Sequence, residues 1–167
     1  MIHNTHMAQF IPVTLFHPVT GTFTWVAGDV AGTIAMNRAA ANETSVVNIP
    51  ITLPSNSIAL QGCKLTSIEI DYEVKVAEPT SITPTINKVT RGIDTAVAVV
   101  AAVTQSAQSP VAASAKTVDQ HKLLLTPATP FWIDNDEYVL VELSIVAGAG
   151  GNTMKFLGAV ANFTFRA

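Results

Sequence analysis

Hydrophobic and polar residues alternate without a break from Ile68 to Val76. Ile68, Ile70, Tyr72, Val74 and Val76 fall on one parity; Glu69, Asp71, Glu73 and Lys75 fall on the other. A period of two marks a strand with one buried and one wet face. Residues 64–76 therefore predict a long strand, and its wet face points to an antiparallel sheet rather than a parallel one covered on both sides. The pattern recurs. Residues 45–53 bring Val47, Ile49, Ile51 and Leu53 together, and 138–147 do the same for Val139, Val141, Leu143 and Ile145. Residues 154–165 align Leu157, Ala159, Ala161, Phe163 and Phe165, and 22–27 put Phe23 and Trp25 on one face, in the core.

Shorter strands are expected at 10–16, where Pro12 favours an edge or a strand start, at 82–90 and at 120–126. Residues 96–103 carry alanines that favour helix and valines that favour strand. Turn signals about every ten residues decide for strand. Turns are expected at 18–21, 28–32, 54–57, 78–81, 91–94 and 134–137, a bend between Pro127 and Pro130, a loop over 105–116, and a flexible hairpin loop at 148–152. Residues 34–41 fit either one helical turn or a loop.

Eight to ten strands spaced by eight to twelve residues indicate a sandwich or barrel. The expected fold is all-β: an antiparallel two-sheet sandwich, jelly-roll-like, a form that suits this length. Residues 10–167 form one domain, with Ile68, Ile70, Tyr72, Val74, Val141, Leu143 and Ile145 in one core. Residues 1–9 lack periodicity and read as a flexible N-terminal arm, ordered only against a neighbour.

Composition sharpens this picture. Only 13% of the 167 residues are charged, against roughly 25% in typical soluble domains. Mean hydropathy is +0.38, and 20 threonines take up part of the difference. Charge depletion is a property of interface cores, so part of the surface is expected to meet other subunits. The net charge of −3 gives no basic footprint for nucleic acid. The longest strictly apolar run, 96–103, is far shorter than the roughly 20 residues of a membrane helix. The N-terminal residues show no basic region followed by an apolar stretch, so no export is expected. With Cys63 as its one cysteine, the chain has no internal disulfide. Beside Gly62 that cysteine reads as an inert small hydrophobe.

Candidate chemistry is sparse. His3, His6 and His17 could hold a transition metal, but a loose arm gives them no orienting partners. Asp134, Asp136 and Glu137 offer oxygens to calcium, yet the glycine and distal glutamate of a calcium loop are missing. Glu69, Asp71 and Glu73 line one strand face roughly 7 Å apart, a spacing a glycosidase could use and a wet sheet face also produces. No G-x-S-x-G elbow is present, and Cys63 and His121 form no nucleophile motif. Trp25, Trp132, Tyr72 and Tyr138 are the candidates for a sugar-stacking platform. Trp132, close to Pro130, is the one expected at the surface. The Asn42-Glu-Thr44 and Asn162-Phe-Thr164 sequons read as chance matches. The expectation is therefore no catalytic, cofactor-binding or metal site, and no enzyme.

Four segments carry a family likeness: I-E-I-D-Y-E-V-K-V at 68–76, S-I-T-P-T-I-N-K-V-T at 81–90, D-E-Y-V-L-V-E-L at 136–143 and G-A-V-A-N-F-T-F-R-A at 158–167. Over residues 45–167 the chain resembles small β-sandwich virion proteins of tailed bacteriophages, the capsid decoration or cement proteins and related accessories. The resemblance implies a non-catalytic jelly-roll-like domain without a cofactor. It implies a homo-oligomer, a trimer first, made in the host cytoplasm and seated in the virion. Its partners would be itself and the major capsid protein, with no nucleic acid or membrane. No binding residues carry across. The alternative is a receptor- or glycan-binding module of a phage tail, or an intracellular lectin-like protein.

Overall fold

The computed structural model describes residues 4–51, 63–92, 98–134, 136–148 and 151–166. In chain order the strands are β1 (Asn4–Pro12), β2 (His17–Thr20), β3 (Phe23–Ala27), β4 (Ile34–Ala41), β5 (Thr44–Ile51), β6 (Cys63–Val74), β7 (Ser81–Thr90), β8 (Val99–Ala102), β9 (Gln105–Ser109), β10 (Gln120–Pro127), β11 (Phe131–Ile133), β12 (Glu137–Val146) and β13 (Asn152–Arg166). A 3-10 turn, Val13–Leu15, lies between β1 and β2. Two antiparallel sheets result. One has eight strands on the path β3-β4-β13-β6-β10-β9, with β1 added beside β13 and β11 beside β6. The other runs β2-β5-β12-β7-β8. Long strands alternate between the sheets, so that β4-β13-β6-β10 is set against β5-β12-β7-β8. That is jelly-roll order. Among the described residues there is no α-helix, and no helix is long and apolar enough to cross a membrane.

The alternation read from the sequence places the core. Ile68, Ile70, Tyr72 and Val74 of β6 meet Val139, Val141, Leu143 and Ile145 of β12 in one buried cluster with Val47, Ile49 and Ile51 of β5. Glu69, Asp71 and Glu73 face outward, half-buried. The central pair, β6 and β13, contains two bulges. Phe156 pairs with Tyr72 but Gly158 pairs with Asp71, so Leu157 is an extra residue on β13. Asn162 pairs with Ser67 but Phe163 pairs with Leu65, so Thr66 is an extra residue on β6. Each bulge flips the facing of the residues beyond it. Met154 and Phe156 are therefore in the core before Leu157, and Ala159, Ala161, Phe163 and Phe165 after it. Leu157, expected among the core residues, is the bulge itself.

Other expectations are corrected. Residues 4–9 are no loose arm: they begin β1, whose nine residues pair with β13 from Asn4↔Arg166 to Pro12↔Gly158. Among the described residues the far half of β13 has no other partner on that side, and β1 satisfies its main-chain groups. Strand 10–16 ends at Pro12, which lacks the N–H needed to continue the ladder. Residues 17–20 are an edge strand rather than a turn, 34–41 are a strand, and 105–109 of the expected loop form β9. Trp25 is 53% exposed, because β3 is an edge strand. Val76 lies past the end of β6 and is exposed. β12 and β13 belong to different sheets and so form no hairpin. Among the described residues the thirteen strands exceed the expected eight to ten because β2 and β9 form where a turn and a loop were expected, β4 forms in the undecided segment, and β11 is a three-residue strand beyond the expected bend. The expected turn at 54–57, the Ile93-Asp94 part of another, the first two residues of strand 96–103, Asn135 and residues 149–150 lie outside the described residues.

Gly158 fixes how β1 lies on β13. Its φ is +152°, and a Cβ there would sit 2.8 Å from two ring carbons of Phe10 and 3.2 Å from the Ile11 carbonyl oxygen. The Phe10 ring thus occupies the space left by the missing side chain. Gly158→Val is expected to displace Phe10 and loosen β1, at a cost of about 1–3 kcal/mol. At about 2–4 °C per kcal/mol for a domain of this size, calorimetry should read a clear fall in Tm. An unchanged Tm would show that the contact is dispensable.

Candidate functional site

The two outer faces of the sandwich are chemically unlike. On the eight-stranded sheet, the antiparallel register sets charged and polar groups side by side. Lys122 of β10 pairs with Asp71 of β6, and Glu69 lies between Val160 of β13 and Leu124 of β10. Lys122 Nζ reaches Glu69 at 3.2 Å, and Asn162 Nδ2 donates to Ser67 Oγ at 3.1 Å and to Glu69 Oε1 at 3.3 Å. Burial raises the Asp71 pKa; Lys122 opposes that and Glu69 adds to it. Lys122 is itself raised, first by its hydrogen bond to Glu69. Glu73 meets Lys75 at 3.2 Å. Lys155 of β13 is buried against Asp29 from the β3–β4 turn, and this bond holds the Asp29 carboxyl below its ordinary value.

At the far end of this face a row crosses four strands: His6, Thr164, Lys64 and Trp132. The Lys64 ammonium stands 5.8 Å from the Trp132 ring centroid, within cation–π range. Thr164 Oγ1 and His6 Nδ1 are 3.2 Å apart. Trp132 is exposed at the surface, as the sequence indicated.

Glu69 is thus paired with a cation and an amide across the sheet, and Glu73 with Lys75 two residues along the chain. All three carboxylates are half-buried. Glu69→Gln, Asp71→Asn, Glu73→Gln in one chain is expected to leave Tm within a few degrees, because half-exposed ion pairs contribute about 0–1 kcal/mol each. Loss of binding with the fold intact would make this strip a working site.

On the five-stranded sheet the outer positions are Val46, Asn48 and Pro50 of β5; Tyr138, Leu140, Glu142, Ser144 and Val146 of β12; Thr83, Thr85, Asn87 and Val89 of β7; and Val100 and Ala102 of β8. Glu142 is the one charged side chain among them. Tyr138, Val100 and Val146 are exposed, Leu140 is half-buried, and Asn87 and Val89 are buried. Its strands β2, β5, β12, β7 and β8 are 4, 8, 10, 10 and 4 residues long, so at about 4.8 Å between strands and 3.3 Å per residue the face covers on the order of 570 Å². That is one partner's share of a small protein–protein interface.

The other candidates are separated by the fold. His6 is on β1 of one sheet and His17 on β2 of the other; His3 lies outside the described residues. Among the described residues no three metal-ligating side chains cluster. In the acidic turn, the Asp134 N–H donates to Glu137 Oε2 at 3.0 Å and the Glu137 N–H to the Asp134 carbonyl at 3.1 Å. Glu137 Oε1 also holds Lys88 Nζ at 2.6 Å. Burial pushes the Glu137 carboxyl up, and the bonds to Lys88 and Asp134 outweigh it, so the net shift is downward. Cys63 is buried, which pushes its thiol up to about 11. Its sulfur is then a poor nucleophile at neutral pH. Tyr72 donates its hydroxyl to the Ala115 carbonyl and stacks near His121, tying the 110–119 loop to the core; burial raises its pKa.

Sequence reading missed Arg38 and Phe10. A lone arginine in an undecided segment gave no sign of burial, and Phe10 gave none of its seat over a glycine 148 positions away. The chain matches no protein-family model and no curated protein. The fold defines its class: an all-β, two-sheet antiparallel sandwich.

Proposed function

We propose that this chain is a non-catalytic structural protein of a virus particle, a decoration or cement subunit that stabilises a phage shell through contacts between subunits. The observation that carries the reading is the outer face of the five-stranded sheet. A face of about 570 Å² whose one charged strand residue is Glu142 has the charge depletion of an interface core and the area of a small interface. The resemblance of the strand sequences to decoration proteins supports the same reading, as does the low charge of the whole chain. The partners are further copies of the chain and the major capsid protein, and the place of action is the virion.

The test is co-sedimentation with purified, DNA-free capsid shells. The expected result is saturable binding and a higher shell melting temperature. Leu140→Lys, at a half-exposed position in the centre of the face, should abolish both with the subunit's own Tm unchanged. Absence of binding, or binding indifferent to Leu140→Lys, would overturn the proposal.

A second reading, a glycan-binding module of a phage tail, is favoured by Trp132 beside Lys64. It requires that Trp132→Ala abolish retention on immobilised bacterial polysaccharide.

A further inference from the structure

The open edges of the two sheets are treated differently by the sequence. Of the five-stranded sheet's ends, β2 carries Pro18. The stretch of β7 beyond β8 carries Pro84, whose carbonyl is taken by Gln105 Nε2 at 3.0 Å. On the eight-stranded sheet, β1 ends on Pro12, β9 is polar and runs into Pro110, and β11 is three residues between Pro130 and Asp134. Proline, polarity and shortness are how natural sheets blunt their edges. Two end strands among the described residues lack proline and charge and are neither wholly polar like β9 nor as short as β11: β3, Phe-Thr-Trp-Val-Ala, and β8, Val-Val-Ala-Ala. All four residues of β8 are exposed, with Val99 and Val100 each at 63%.

These two edges match each other. They are similar in length, five residues and four. They lie on opposite flanks, since β3 ends one sheet beside β4 and β8 ends the other beside β7. Each also carries half of a knob and hole. Trp25 projects from β3 on the side of the sheet that faces the core, opposite Met36. Beside β8 lies a groove of about 320 Å³ lined by Ala101, Ala102, Val103, Thr129 and Phe131, with Lys88 at its side.

We propose that β8 of one copy pairs with β3 of the next, seating Trp25 in the groove beside β8, and that this head-to-tail contact closes a ring. The proposal rests on the assembly reading above and names its subunit contact. A contact between unlike edges closes into a ring when the rotation allows. The ring covers both unguarded edges of every copy. A two-fold contact through β8 alone would leave β3 open to pair further, which is the hazard that edge blunting prevents. The absence of charge on both strands removes any like-charge penalty across the new ladder. Trp25 supplies the aromatic anchor that interface centres favour.

Light scattering at tens of micromolar should give one discrete mass, a whole multiple of 17.6 kDa. Val100→Lys and Trp25→Ala, both at exposed positions, should each give monomers with unchanged far-ultraviolet circular dichroism. Ala102→Lys serves as a second edge variant should Val100→Lys fail to fold. The decisive arm mixes the two monomeric variants. Val100→Lys keeps an intact β3, and Trp25→Ala keeps an intact β8, so the mixture should form a two-copy species at high concentration. A monomeric wild type, oligomers indifferent to both substitutions, or a mixture that stays monomeric would each overturn the proposal. So would an effect of Val100→Lys without one of Trp25→Ala, which indicates a β8-to-β8 contact. Shell binding is scored separately. A ring that ignores shells sinks only the virion reading, and a monomer that binds them sinks only the ring.

Discussion

Arg38→Met is expected to lower the melting temperature by about 10 °C. Arg38 is fully buried between the sheets on β4. Its guanidinium donates from Nε to Ser45 Oγ at 2.7 Å, and from one terminal nitrogen to the Asn152 carbonyl and to Asn152 Oδ1, both at 2.7 Å. The other terminal nitrogen donates to the Glu43 carbonyl at 2.8 Å. One side chain thus joins β4 and β13 of one sheet to β5 of the other. Burial draws its pKa below the ordinary value and Glu43 opposes that. Methionine fills similar space but strands several buried acceptors, each costing about 1–3 kcal/mol. A total of about 3 kcal/mol or more corresponds to roughly 10 °C at this size. Arg38→Lys should recover only part of the loss, because an ammonium cannot reproduce the planar fork. A methionine variant that melts within about 2 °C of wild type would show that the acceptors find other partners.

The second large effect is expected from removing residues 4–9. This deletes six of the nine residue pairs between β1 and β13 and the packing of Met7 against the core. It also leaves a bare edge along the central strand of the larger sheet. The expected outcome is a fall in Tm of about 10 °C or more, with increased aggregation from the exposed edge. A free arm predicts the opposite, an unchanged Tm. Calorimetry on the truncated chain separates the two.

The sequence showed the long strands because each has one dry and one wet face. β5, β6 and β12 were legible on that basis, and so was the two-sheet class. β1 was not. Its inward positions include only Met7 and Ile11 as large apolar side chains, and the ladder that holds it is made by main chain, which leaves no mark in side-chain pattern. β4 was ambiguous because its inward position 38 is an arginine, polar by type and buried by circumstance. The shift of phase at Leu157 was invisible for a related reason: Gly158 and the alanines at 159 and 161 read equally well on either face. The unlike outer faces were only half visible. The charged strip on β6 is continuous in sequence, whereas the blandness of the other face is spread over β5, β7, β8 and β12 and exists only in their pairing.

The place of β13 bears on how the chain acquires its fold during synthesis. β13 follows every other described strand in sequence, yet it is the one that β1, β4 and β6 all pair with. Until it leaves the ribosome, those three strands have no common neighbour, and the larger sheet lacks its middle. The smaller sheet, complete at residue 146, can form earlier but has nothing to close its inner face. Folding is therefore expected to wait on the last strand. It then joins segments as far apart as Asn4 and Arg166 in one step, the slow, non-local kind of closure. Nascent chains stalled before residue 152 should remain protease-sensitive throughout, with no stable half-domain.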